Sequence, residues 1–297
     1  MSDSQLQICV AYDYNGIMEF VGNLLNGKYE GKGIVYYING NKLYYGDFIE
    51  GECNGRGILY HMNGNKEYDG DFINDKRNGK GKMYNINGNK LYCGDFKEGE
   101  CNGRGILYHS NGNKKYEGDF INNNYHGKGI LYNMNGNKLY SGDLKYGKCN
   151  GMGIVYDMNG NKGYEGGFKD NCFHGIGIKY YINGNKFYEG DFINGDRNGK
   201  GIMYSRNGIK YYEGYFKYNS FNGMGIYYYI NGNKFYEGDF KDGYRSGMGI
   251  RYYNNGSKLY EGIFKYNNFH GKGIIYNIDG TIEYDGDFTD NLYNRIL

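Results

Sequence analysis

The sequence predicts an all-β chain, an elongated single-layer antiparallel meander of tandem β-hairpins that twists or curls. Three observations carry that expectation. Glycines run 24 residues apart from Gly22, Gly46 and Gly70 to Gly286 with no insertion or deletion, and self-similarity at a fixed period marks a repeat array. Within each period the residues alternate at period two, as strands with one packed and one wet face do. An Asn-Gly step closes each copy, from Asn15-Gly16 and Asn39-Gly40 onward, with Asp279-Gly280 the last. Asn-Gly is a strong hairpin signal because both residues tolerate positive φ.

Residues 1–11 read as an N-terminal cap segment, 12–288 as about eleven units of 24 residues, and 289–297 as a C-terminal tail. In the first strand of a unit, Lys42 to Ile49, alternation puts Tyr44, Gly46 and Phe48 on one face and Tyr45 and Asp47 on the other. The position of Tyr45 is elsewhere Glu117, Glu189 or Glu237. On the return strand, Gly55 to His61, Ile58 and Tyr60 share one face and Leu59 takes the other. Glycine weakens strands, so a Gly between two aromatics on one face is expected to leave room for a ring lying flat over the backbone. Hairpins paired edge to edge would give about 22 strands spaced about 4.8 Å apart, a rod roughly 100 Å long, and such a sheet must twist.

A 48-residue super-period overlies the unit. The position of Cys53 reads Cys53, Arg77, Cys101, Tyr125, Cys149, Phe173, Arg197, Phe221, Arg245, Phe269, and Gly51 to His61 recurs letter for letter at 99–109. Duplication of hairpin pairs is the favoured cause. The alternative is that odd and even loops face different surroundings.

The stretch Tyr188-Glu-Gly-Asp-Phe-Ile-Asn-Gly-Asp-Arg-Asn-Gly-Lys-Gly-Ile-Met-Tyr-Ser-Arg-Asn-Gly208 closely resembles the MORN repeat, and the likeness extends from about residue 12 to 288. Phe stands where the family usually has Trp, and the spacing is 24. The resemblance implies an elongated β-hairpin solenoid used for tethering and scaffolding, sometimes self-associating, with phospholipid contact proposed for some members.

Composition narrows the function. With 35 basic and 33 acidic residues the net charge is +2, too balanced to predict nucleic-acid binding. No basic segment followed by an apolar stretch opens the chain, and no apolar run approaches bilayer-spanning length. The expected location is intracellular and cytoplasmic, at most peripheral to a membrane or the cytoskeleton. His126, His174 and His270 alternate with Asn54, Asn78, Asn102, Asn150, Asn198 and Asn222 at one position before Gly, so they read as turn residues tolerant of left-handed backbone. His61 and His109 read as exposed filler. The cysteines are Cys9, Cys53, Cys93, Cys101, Cys149 and Cys172. Three of them, Cys53, Cys101 and Cys149, lie two hairpins apart, too far for a disulfide, and read as reduced thiols. Carboxylate pairs such as Glu117/Asp119, Glu189/Asp191 and Glu237/Asp239 are copied along the array and read as a solvated face. The Gly-x-Gly pairs lack the Lys-Ser/Thr and helix of a phosphate loop.

One feature remains as a binding candidate. Lys42, Lys66, Lys90, Lys114, Lys138, Lys162, Lys186, Lys210, Lys234 and Lys258 each follow an Asn-Gly turn or its equivalent, a ladder with a step of about 10 Å that a flat anionic surface could engage. Solubility and salt bridging to the acidic ladder is the favoured reading. The expectation is a non-catalytic scaffold or tether with no cofactor, no metal and no catalytic residues. Its partners would be another protein, a second copy of the chain or an anionic membrane surface, and not nucleic acid. The alternative is a peripheral membrane-binding module using the Lys ladder. A regulatory domain parted from its enzyme is a third class, but the chain has no further segment large enough to be that enzyme.

Overall fold

The computed structural model describes residues 7–293, so the outermost parts of the expected cap and tail lie outside the described residues. The structure is all strand, with 24 strands from β1 (Gln7–Tyr12) to β24 (Ile282–Phe288). That exceeds the expected count by two. None of the described residues forms a helix, so none forms one long and apolar enough to cross a membrane. The chain divides into two compact units between Lys148 and Cys149. The first holds β1 to β12 (Lys138–Lys145), and the second holds β13 (Lys148–Tyr156) from Cys149 onward and the strands after it. Within each unit every strand pairs antiparallel with the next in sequence, as an open meander.

The packed face follows the expected alternation. In β4 (Lys42–Ile49) Tyr44, Gly46 and Phe48 are buried, and the same triad recurs at Tyr68, Gly70 and Phe72. Leu24 and Leu144 take the Phe position, and Leu144 is as buried as the Phe residues. Except beside Leu144, a core Tyr meets its own Phe and that of the next copy edge to face: Tyr68 lies 5.1 Å from both Phe72 and Phe96, with interplanar angles of 86° and 88°. Such T-shaped pairs are worth about 0.5–1.5 kcal/mol each beyond area burial. The Tyr hydroxyl then donates to the carbonyl three residues on, Tyr68 Oη to Asp71 O at 3.0 Å. This satisfies the one polar atom of the ring.

The glycines give the rings their place. Gly46 pairs with Gly57 of β5 (Glu52–Tyr60), which pairs with Gly70, and Gly70 with Gly81. Each unit thus carries a continuous row of glycine across its strands. A methyl group on Gly57 would lie 2.5 Å from Tyr44 Cζ, which confirms that the ring lies flat over the backbone. The other glycine of the Gly-x-Gly pair has a different task. Between the pairs Gly46↔Gly57 and Phe48↔Cys53, Asp47 faces the bulged residues Asn54, Gly55 and Arg56. Gly55 takes φ +97° there, and the Asp47 carboxylate accepts the Arg56 amide at 3.2 Å.

The turns depart from expectation. In the Asn39-Gly40 hairpin only Gly40 is left-handed (φ +81°). Asn39 is chosen for its hydrogen bonds: its Oδ1 accepts from Asn41 N at 3.0 Å and its Nδ2 donates to Met62 O at 3.0 Å. Paired positive φ occurs instead at the opposite end of the hairpins, at Glu50-Gly51 (51°, 91°) and Asn74-Asp75 (48°, 63°). The loop lengths explain this, since two-residue hairpin loops need both residues left-handed while longer ones need one.

Those two-residue turns give the super-period a structural counterpart. Their second residue alternates between Gly51, Gly99, Gly147, Gly195 and Gly243 and Asp75, Asn123, Asn171, Asn219 and Asn267. The Asx side chain accepts the amide of the strand residue 22 positions earlier: Cys53, Cys101, Cys149, Arg197 and Arg245, at 2.7–2.9 Å. Odd and even loops therefore differ in their own second residue; Asn291, in the phase otherwise held by Gly, makes the same bond to the Phe269 amide at 2.8 Å. Replacing Asn219 by Gly keeps φ accessible and removes this staple. Its expected cost is about 1 kcal/mol, read as a lower urea midpoint at unchanged m-value.

Candidate functional site

The ten lysines line one edge position, but seven are neutralised where they stand. Lys66 pairs with Asp69 at 2.8 Å, and Lys114, Lys162, Lys186, Lys210, Lys234 and Lys258 pair with the Glu three residues on at 2.6–2.8 Å. Lys42 and Lys90, whose third neighbours are Tyr45 and Cys93, lie over the rings of Tyr45 (5.9 Å) and Tyr108 (5.2 Å). At Lys138 the third neighbour is Ser141. The hydrogen bond from Lys114 pulls Glu117 below the usual carboxylate range. Glu165 is lowered in the same way by Lys162.

The remaining candidates resolve into repeat roles. Asp95, Asp119 and Asp191 accept the amides of Arg104, Lys128 and Lys200 across the bulge. His126, His174 and His270 precede left-handed glycines, Gly127, Gly175 and Gly271, without being left-handed themselves, which corrects the reason given for Asn and His exchanging there. His61 and His109 are half-buried rather than exposed filler. Their Nε2 atoms sit 3.2 and 3.1 Å from Tyr84 O and Tyr132 O. Tyr37 serves the same contact with its hydroxyl, donating to Tyr60 O at 2.8 Å. Both side chains reach a carbonyl 23 residues on, a relation that strand periodicity does not display.

No disulfide joins any of the six cysteines, and Cys172 is the exposed one. Burial pushes the Cys53 thiol up to about 12 and the Cys101 thiol up to about 11, which suppresses the thiolate. A concavity of about 670 Å³ opens on the polar face of the first unit beside Cys93, Arg104, Glu117 and Lys128. Its acid is already held by Lys114 and Tyr132. Among the described residues no group of three or more His, Cys, Asp or Glu could hold a metal.

The two units differ at one repeat position on this polar face. In the first unit it is always basic, and each cation pairs with the Asp of the next copy: Lys32 with Asp47, Arg56 with Asp71, Lys80 with Asp95, Arg104 with Asp119 and Lys128 with Asp143, at 2.7–3.5 Å. In the second unit it reads Met152, Ile176, Lys200, Met224, Met248 and Lys272. Met152, Ile176, Met224 and Met248 stand 61%, 73%, 54% and 59% exposed. Sequence reasoning missed this stripe. The signal was present as a change from basic to apolar at a single position of an otherwise constant unit.

A family model described as the MORN repeat matches eleven segments, beginning at 20–42, 44–66 and 68–90 and ending at 260–282. A search of curated proteins finds no match. Among solved structures the chain is similar to the crystal structure of TcdB2-TccC3-Cdc42, at 12% identity and a TM-score of 0.19, over 95% of this chain and 17% of that one. It is also similar to the crystal structure of TcdB2-TccC3, at 11% identity and a TM-score of 0.19, over 90% of this chain and 14% of that one. The chain thus spans less than a fifth of either, and TM-scores this low leave nothing of their arrangement to carry across.

Proposed function

Since the chain belongs to the MORN repeat family, with eleven repeats between residues 20 and 282, we propose that it is a non-catalytic scaffold or tether whose sheet binds other proteins or a second copy of itself. The observation that carries this reading is the row Met152, Ile176, Met224 and Met248, exposed where the first unit has ion pairs. Apolar side chains exposed at one repeat position of a strand array mark an interaction site; Lys200 divides them into the pairs Met152/Ile176 and Met224/Met248, and Lys272 follows the second pair. A second reading, a peripheral membrane-binding module, draws support from the turn tips. Ile38, Met62, Ile86, Met134, Met158, Ile182 and Ile230 are each more than half exposed, four residues before lysines of the ladder. Apolar tips beside cations suit an anionic interface.

One experiment with two arms separates them. Cross-linking of the purified chain at rising concentration, with proximity labelling in its host, should give protein links that map to the exposed stripe. A chain that stays monomeric and labels no protein above background overturns the scaffold. Co-sedimentation with phosphatidylserine vesicles at low salt, lost on replacing several turn-tip residues by Asn, is expected of the membrane module. Absence of such binding removes it.

A further inference from the structure

The packed face of the second unit carries a pair of cations that the repeat does not neutralise. Arg77 shows the neutralised form of the position: its guanidinium lies over Tyr68 and pairs with Glu67 at 2.5 Å. At Arg245 the residue corresponding to Glu67 is Phe235. The Arg245 guanidinium lies 5.4, 5.7 and 5.6 Å from the rings of Phe235, Tyr236 and Phe264. Its Nε and Nη2 donate to Asn267, while Nη1 is buried with no partner. Arg251, six residues along the same strand and on the same face, lies 5.0 Å over Phe235, and its Nε is also buried without a partner. Among the described residues neither arginine has an ion pair.

Two cations therefore share one ring, each with a desolvated donor left open. Burial, and next the Arg251 charge beside it, pull the Arg245 pKa down. Beside Arg245, and walled in part by the Phe235 ring that Arg251 also covers, lies a cavity of about 320 Å³ lined by Phe221, Tyr227, Phe235, Phe240, Arg245 and Asn267. Tyr229 backs the wall at 5.1 Å from Phe235.

We propose that this pocket binds an acidic peptide segment in which a carboxylate adjoins an aromatic or large apolar side chain. A planar carboxylate accepts from guanidinium donors in the fork geometry that arginine presents. The aromatic walls take the neighbouring side chain, in a volume at the lower end of ordinary binding pockets. A free phosphate would leave four rings uncovered, and a flat membrane cannot reach the buried Nη1. The inference rests on the scaffold reading and names the chemistry of one partner segment.

Because the chain has no tryptophan, emission from a short peptide with Glu-Trp-Glu at its centre reports binding to the full chain directly. The expected result is a saturable blue shift, at least tenfold weaker for the Gln-Trp-Gln peptide and for the Arg251→Met chain, and partly retained in Arg251→Lys. Arg77→Met should bind as the wild type does, since Glu67 already holds that charge. Four results overturn the site: no saturable binding, equal binding of the two peptides, wild-type affinity in Arg251→Met, or full displacement by inorganic phosphate or phosphatidylserine vesicles. None of them bears on the scaffold reading, which stands or falls on the cross-linking and labelling.

Discussion

Titrating the chain upward past about pH 10 is expected to unfold it over a narrow interval, with phenolate absorbance rising together with the loss of the β-sheet signal. The cause is the core ladder. Burial raises the pKa of Tyr44, Tyr68, Tyr92, Tyr116, Tyr188, Tyr212 and Tyr236 well above the ordinary value, and that of Tyr164 and Tyr260 to about 12. The unfolded chain releases these protons near pH 10 while the folded chain keeps them. The unfolded state then binds fewer protons, and stability falls as pH rises. The stability is fully present below about pH 10 and is lost on the way to the folded-state values. One such group can remove at most about 1.4 kcal/mol per pH unit. A third of that slope, summed over nine groups, is about 4 kcal/mol within one unit, against a total stability of about 5–15 kcal/mol for a typical domain. Tyr188→Phe should shift the alkaline midpoint upward. A gradual phenolate rise with the sheet signal intact would show that the ladder is not the weak point.

The second large effect is expected from one methyl group. Gly201 pairs with Gly190 and Gly214 and lies under the Tyr188 ring. An added Cβ would sit 2.5 Å from Tyr188 Cζ, in a core with no room to yield, so Gly201→Ala should cost about 3 kcal/mol or more. Gly184 offers the comparison. It has φ +84° and nothing within 4 Å of an added methyl, so Gly184→Ala should cost only about 1 kcal/mol. Gly201 has no positive φ, so a rule based on backbone preference alone predicts the reverse order. Urea midpoints of the two variants decide between ring and backbone as the reason for the glycines.

The strands, their faces and the flat rings were legible because each follows from alternation inside one unit: Tyr44, Gly46 and Phe48 need no tertiary information to be placed together. Relations between units were not. The contact from His61 to Tyr84 O and the staple from Asn219 to the Arg197 amide join residues 22 or 23 apart, and their register depends on the bulge opposite Asp47. The left-handed turns were misassigned for a related reason, since Asn39-Gly40 and Glu50-Gly51 differ in loop length and not in composition alone. Of the candidate site, the positions of the lysines were legible and their pairing with the acidic ladder was the favoured reading. The isolation of Arg245 and Arg251 was less so. It shows only when Phe235 is set beside Glu67 as the occupant of the same position, and until strand pairing is known nothing gives that comparison weight.

The alternating Asx staples bear on how such a gene can change length. Bonds between copies, such as Lys32 to Asp47, Tyr37 to Tyr60 and Arg56 to Lys80, span 15 to 24 residues, so loss or gain of whole copies cuts no distant tie. Unequal crossing-over by 48 residues returns an Asx turn beneath every strand amide that had one. A slip of 24 sets a Gly turn beneath Cys101 or Arg197 and leaves that amide without its acceptor. Lineages of this array should therefore differ in length by even numbers of hairpins more often than by odd ones.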